Sequence, residues 1–200
     1  MRLSVSDLGI ERGGRIVFRK ISFALGSGES MSLTGPNGAG KSTLLRALAG
    51  LLPITEGRID CTPPAGHLAE TVHYIGHADA LKASLTAREN LQFWAAMLGS
   101  DGAAPSVETA LGRFGLAAIA DLPAAYLSAG QKRRLALAKL LVASRPIWLL
   151  DEPMTALDAV SQAMMGETML AHLAGGGLVV AATHAPLLLD GRELRLGKTA

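Results

Sequence analysis

The chain has one cysteine in its 200 residues, Cys61, so no internal disulfide can form, which fits a reducing compartment. It has no uninterrupted apolar run of about 20 residues, the length a bilayer-crossing helix needs. The richest stretch, Leu135 to Leu150, is broken by Lys139, Arg145 and Pro146. The opening residues, MRLSVSDLG, lack the apolar core and small-residue cleavage pattern of a signal peptide. Charge is nearly balanced as well: a net +2 is too small to argue for nucleic acid. What remains is one domain's worth of chain, 49% hydrophobic, with Ala, Leu and Val spread along it. The expectation is a soluble cytoplasmic domain.

Strand and helix signals alternate. Ile16 to Leu25 and Glu29 to Thr34 read as strands, the first within a small antiparallel sheet, and Lys41 to Ala49 as a helix ended by Gly50. Residues 85–126 read as helical throughout, with Thr86 and Glu89 forming a capping box and Leu91, Trp94, Ala95 and Leu98 on one face. Further helices are expected over Gly130 to Ala143 and after Asp158, with strands at Thr71 to Ile75, Ile147 to Leu150 and Leu178 to Ala182. All-apolar strands between helices imply a sheet covered on both faces. The expected fold class is α/β: a mixed, mainly parallel sheet with an antiparallel β edge and a helical insert at about 85–143 of a single domain, 1–200.

Gly35-Pro36-Asn37-Gly38-Ala39-Gly40-Lys41-Ser42, followed by Thr43, matches G-x-x-x-x-G-K-[ST] in full, between an apolar strand and a helix. Its glycines let backbone N–H groups turn toward phosphate oxygens, and the helix N-terminus favours negative charge. Lys41 is expected on the β- and γ-phosphates and Ser42 on Mg²⁺, so the chain binds a nucleoside triphosphate. IWLLDEP then delivers Asp151 to the sheet edge, where it could hold Mg²⁺ through water, and Glu152 to a place where a carboxylate could orient or deprotonate a water. Alone, such an acidic pair is more readily a helix cap or solvated turn. Beside the phosphate loop it implies phosphoryl chemistry, though kinases and GTPases share both elements.

Ser128-Ala129-Gly130-Gln131 opens a second helix whose N–H groups offer a second anion site. With the phosphate loop, LLDEP, Thr155-Ala156-Leu157-Asp158 and the isolated His184, this ordered set resembles the ATP-binding-cassette (ABC) ATPases over essentially the whole chain. The resemblance implies a P-loop NTPase core and a head-to-tail dimer with a second copy, ATP lying between one phosphate loop and the other copy's signature helix. Ser128, Ala129, Gly130 and Gln131 would then act in trans, Asp158 would cross the interface, and His184 would hold the γ-phosphate and position the water with Glu152. Ala129 departs from the commoner glycine. The run Lys132-Arg133-Arg134 reads as a solvated face or interface charge, because no aromatic residues interleave.

Two histidines stand four apart in HYIGHADALK. On a strand they would lie roughly 13 Å apart, too far for one metal ion. The resemblance places His77 where the family carries a glutamine that contacts Mg²⁺ and water and senses the transporter, and leaves His73 a strand residue. Near the N-terminus, Arg12 stands where the family's adenine-stacking aromatic would lie, with Phe18 as the fallback. YIGHADALKASLTARENLQFW, LSAGQKRRLALAKLL and WLLDEPMTALD further resemble the ATP-binding subunits of cytochrome c maturation, heme-export ATPases. That implies membrane-spanning permease subunits of that system as partners, a heme chaperone as an indirect client, and a peripheral place on the cytoplasmic face of the bacterial inner membrane. Direct heme binding is not expected: Cys61 lacks a following proline, and His67, His73, His77 and His172 show no convergent spacing. The alternatives are the ATPase of another ABC exporter, a soluble ABC protein of translation or DNA repair, and an ATP-dimerised binding module with little turnover.

Overall fold

The computed structural model describes residues 1–62, 70–99, 104–184 and 189–197. The chain divides into two compact units: Met1–Gly76 with Pro146–Pro153 and Met169–Ala200, and His77–Arg145 with Met154–Thr168.

The first unit holds two sheets. Strands β1 (Arg2–Arg12) and β2 (Arg15–Gly26) form a hairpin across Gly13-Gly14, and β4 (Glu56–Thr62) pairs on the other side of β1, all antiparallel. In β1 the buried apolar side chains are Leu3 and Val5, then Leu8 and Ile10. A strand's inward face recurs every second residue, so this odd-to-even change needs a slip. A bulge between Val5 and Leu8, with Asp7 at φ 48, supplies it. The second sheet is wholly parallel, in the order β5 (Val72–Ile75), β6 (Ile147–Asp151), β7 (Leu178–Ala182), β3 (Ser30–Thr34), β8 (Arg192–Arg195). The expected antiparallel strands thus have a sheet of their own. Every residue of β6 and β7 is buried, as their unbroken apolar runs require. Helix α1 (Lys41–Leu48) packs on both strands, and Leu3, Leu33, Leu44, Leu149 and Val180 share one core.

The second unit contains α2 (Ala87–Leu98), α3 (Val107–Arg113) and α4 (Ala129–Ala138), mutually packed. The capping box of Thr86 and Glu89 forms as expected. The stretch 85–126 is not helical throughout. Gly115, at φ 63, and Pro123 interrupt it, and only short 3₁₀ turns at Ala117–Ile119 and Ala124–Tyr126 follow α3. On α2 the buried residues are Ala87, Asn90 and Leu91, so the inward face is rotated toward the N-terminal turn. Arg88 ties α2 to Asp121 at 2.9 Å and to Glu108. Helix α5 (Ala159–Ala174) gives its first residues to this unit and its last to the other.

Candidate functional site

Strands β3, β6 and β7 are parallel, with β7 between the other two, so their C-terminal ends meet at one sheet edge. In α/β sheets that edge is where ligands bind. From β3 the chain enters the phosphate loop and then α1, whose N-cap is Gly40 at φ 98. A Cβ on Gly40 would lie 2.8 Å from Val17 and 2.9 Å from Phe18. Gly35, at φ +133, is confined more severely, because a Cβ there would lie 2.2 Å from the carbonyl oxygen of Leu196. Lys41 is buried, and its Nζ donates to the carbonyls of Gly35 (2.8 Å) and Pro36 (3.3 Å). Ser42 and Thr43 are half-buried in the first turn of α1.

Asp151, the last residue of β6, is buried, and Glu152 follows in the left-handed region at φ 51, its N–H donating to Ala182 at 2.9 Å. Just beyond β7, His184 Nε2 stands 3.6 Å from Glu152 Oε1 and 3.4 Å from Lys41 Nζ. An ammonium only donates, so this contact is a hydrogen bond when His184 Nε2 carries no proton. Carboxylate, imidazole and ammonium therefore converge beside the loop. An open groove of about 610 Å³ runs along Thr34, Gly35, Pro36, Asn37, His184 and Arg195. Arg195 was missed in the sequence: it sits in the charged segment RELR, with no motif to signal it, and β8 brings it beside Thr34.

Of the two adenine-stacking options, Phe18 is buried behind Gly40, whereas Arg12 is exposed at the hairpin end. Burial withdraws Phe18 from the fallback role. His73 is buried in β5 opposite Trp148, and His172 stacks on Trp148 with centroids 3.8 Å apart. Burial lowers the His172 pKa, despite hydrogen bonds to the Pro146 and Leu178 backbones that raise it. His67 lies outside the described residues.

The remaining expected residues lie in the second unit. His77 is exposed. Ser128 is the N-cap of α4: its Oγ accepts the Gln131 N–H at 3.2 Å, and Gln131 Oε1 accepts the Ser128 N–H at 2.8 Å. Ala129 is exposed, and a Cβ on Gly130 would come within 3.2 Å of the Ala156 carbonyl. Asp158 caps α5 through Ser161 N–H at 2.8 Å, and its hydrogen bonds from Ser161 lower its pKa. The basic run departs from the expected solvated face: Arg133 is buried and ion-paired to Asp79, while Lys132 and Arg134 donate to the carbonyls of Ala125 and Phe114.

Residues 18–155 match the family model described as ABC transporter. The cytochrome c biogenesis ATP-binding export protein CcmA of Nitrobacter winogradskyi is 53% identical over 202 residues, covering 100% of both chains. The protein of the same name from Mesorhizobium japonicum is 50% identical, covering 98% of each. Among solved structures, a putative ABC transporter ATP-binding protein from Pyrococcus furiosus superposes with a TM-score of 0.84 at 21% identity, covering 98% of both chains. An ATP-binding subunit of an ABC transporter gives 0.80 at 26% identity, covering 92% of this chain and 80% of that one.

Proposed function

The chain belongs to the ABC transporter family, and on that premise we propose how its residues divide the work of ATP hydrolysis and which complex they serve. It is the ATP-hydrolysing subunit of an ABC transporter and works with membrane-spanning partners. No helix among the described residues is long and apolar enough to cross a membrane itself. The phosphate loop, Gly35 to Thr43, holds the triphosphate, with Lys41 neutralising its oxygens and Arg12 stacking on adenine. Glu152 takes a proton from the attacking water as its oxygen bonds to the γ-phosphorus. The bond from γ-phosphorus to the bridging oxygen breaks, and ADP leaves with that electron pair. His184 holds the γ-phosphate and the water in line. The observation that carries this reading is the meeting of Glu152, His184 and Lys41 at the loop.

Ser42, in the first turn of α1, and Asp151, at the end of β6, offer hard oxygen donors, a set that suits Mg²⁺. Bound there, the ion would neutralise charge on the phosphates. His77 would stand in for the family's glutamine, a neutral imidazole nitrogen accepting much as an amide oxygen does. Residues 1–200 act as one cassette, with a helical subdomain at about 85–143. Two copies pair head to tail, with Ser128 to Gln131 closing on the partner's ATP and Asp158 crossing the interface. The complex is that of cytochrome c maturation, at the cytoplasmic face of the bacterial inner membrane. It exports heme or releases a loaded heme chaperone; full-length relatives named for cytochrome c biogenesis support this assignment.

The test is Glu152→Gln. Turnover should fall by about 10²–10⁴, the usual contribution of a positioned base, while ATP holds the variant as a dimer on sedimentation. Unchanged turnover removes Glu152 from its role. Co-purification with subunits of an unrelated exporter, and none of cytochrome maturation, overturns the assignment of the complex.

A further inference from the structure

Arg133 lies on α4, beyond the capped turn of Ser128 and Gln131, with its side chain 5% exposed. Its Nη1 donates to Oδ1 of Asp79 at 3.3 Å, and Asp79 lies two residues after His77. The same loop is held from its other end by Asn90 of α2, which is 1% exposed. Asn90 Oδ1 accepts the Lys82 N–H at 2.8 Å, and its Nδ2 donates to the carbonyls of Lys82, Leu85 and Thr86. The loop from His77 to Thr86 is therefore pinned at both ends, to α2 by neutral hydrogen bonds and to α4 by an ion pair.

The two pins differ physically. A buried ion pair adds little net stability over an apolar pair of similar size, because desolvation offsets the attraction. It does set geometry, because the guanidinium is buried while the Asp79 carboxylate is only part-buried, so the cation must be met at one place on the loop. Lys132 and Arg134 grip backbone carbonyls, contacts indifferent to side-chain identity; Arg133 grips a particular carboxylate on a particular loop.

We propose that the Arg133–Asp79 ion pair is a positioning link that holds the His77 loop and the signature helix in one fixed relation, so that the two respond to nucleotide as a single piece. This rests on the roles given above to His77 and to Ser128–Gln131. Neither Arg133 nor Asp79 touches the reacting atoms; each acts through the element it holds.

The experiment uses the complete transporter in bilayers and compares Arg133→Met, Asp79→Leu, the double variant and Arg133→Lys. Each is measured for kcat and KM at a temperature well below its own unfolding midpoint. Thermal midpoints are recorded for each, so that a change in kcat is read apart from a change in stability. The double should still turn over roughly tenfold or more slowly, as a misplaced group demands, with KM within about twofold. Arg133→Lys, which keeps the charge, should recover part of kcat. A double variant with native stability and native kcat overturns the proposal, since the pair would then be packing alone. His77→Ala and Ser128→Asp run alongside. If both retain full kcat, the reading of those motifs fails; if both collapse while the double stays fully active, only the link fails.

Discussion

Ser128 caps α4, and chemistry can separate that task from the trans contact proposed for it. Its Oγ accepts the Gln131 N–H, which leaves the hydroxyl proton to be donated outward. Aspartate caps a helix as well as serine does but carries no such proton and brings a negative charge. Ser128→Asp should keep its thermal midpoint yet lose ATP-driven pairing and turnover, whereas Ser128→Ala should also lose about 1 kcal/mol of stability. Thermal unfolding and hydrolysis measured on both variants separate capping from the trans contact; full turnover by Ser128→Asp would discard that contact. Glu152, to which a catalytic role is proposed, sits at a left-handed φ of 51, a strain of the kind kept at functional sites.

At the scale of elements, the residue that follows β8 acts on the phosphate loop through its backbone. The Leu196 carbonyl fills the space a side chain at residue 35 would occupy, and Gly35 needs its φ of +133 besides. Gly35→Ala should therefore weaken ATP binding severely, by about 2 kcal/mol or more from strain and collision together. Titration with a fluorescent nucleotide checks this, and native affinity would show that the Leu196 backbone yields freely. None of this was legible beforehand, because RELR carries no strand pattern and Leu196 acts by its carbonyl. The all-apolar strands β6 and β7, the phosphate loop and the Thr86 capping box were legible, since each rests on local chemistry: burial on both faces, a loop tight enough to need glycine, a cap. Strand β1 was hidden by its bulge, which breaks the period-two pattern between Val5 and Leu8. The burial of Arg133 was hidden because its partner, Asp79, is 54 residues away in sequence.

At the scale of the whole molecule, among the described residues two basic side chains, His172 and Lys139, are pushed toward neutrality by burial, and both make stability rise with pH. His172 has its pKa lowered, so the unfolded chain binds more protons and stability falls as pH drops below the ordinary histidine value near 6.5. Lys139 is pushed down from 10.5 to about 8. Its penalty is full below pH 8 and is relieved between there and 10.5. At about 1.4 kcal/mol per pH unit this comes to roughly 3 kcal/mol, less what the Trp94 ring returns by favouring the cation. Lys139→Met should thus be more stable than the parent at pH 7 and should lose the alkaline rise, as chemical denaturation at pH 7 and pH 10 would show. An unchanged alkaline rise would place its source elsewhere.

Lys139 Nζ lies 4.2 Å over the ring of Trp94, His172 stacks on Trp148, and these are the only two tryptophans in the sequence. One indole belongs to each unit. Each unit thereby carries its own emitter beside its own proton acceptor, so one fluorescence titration, acidic branch and alkaline branch, would report on the halves of the molecule separately without any added label.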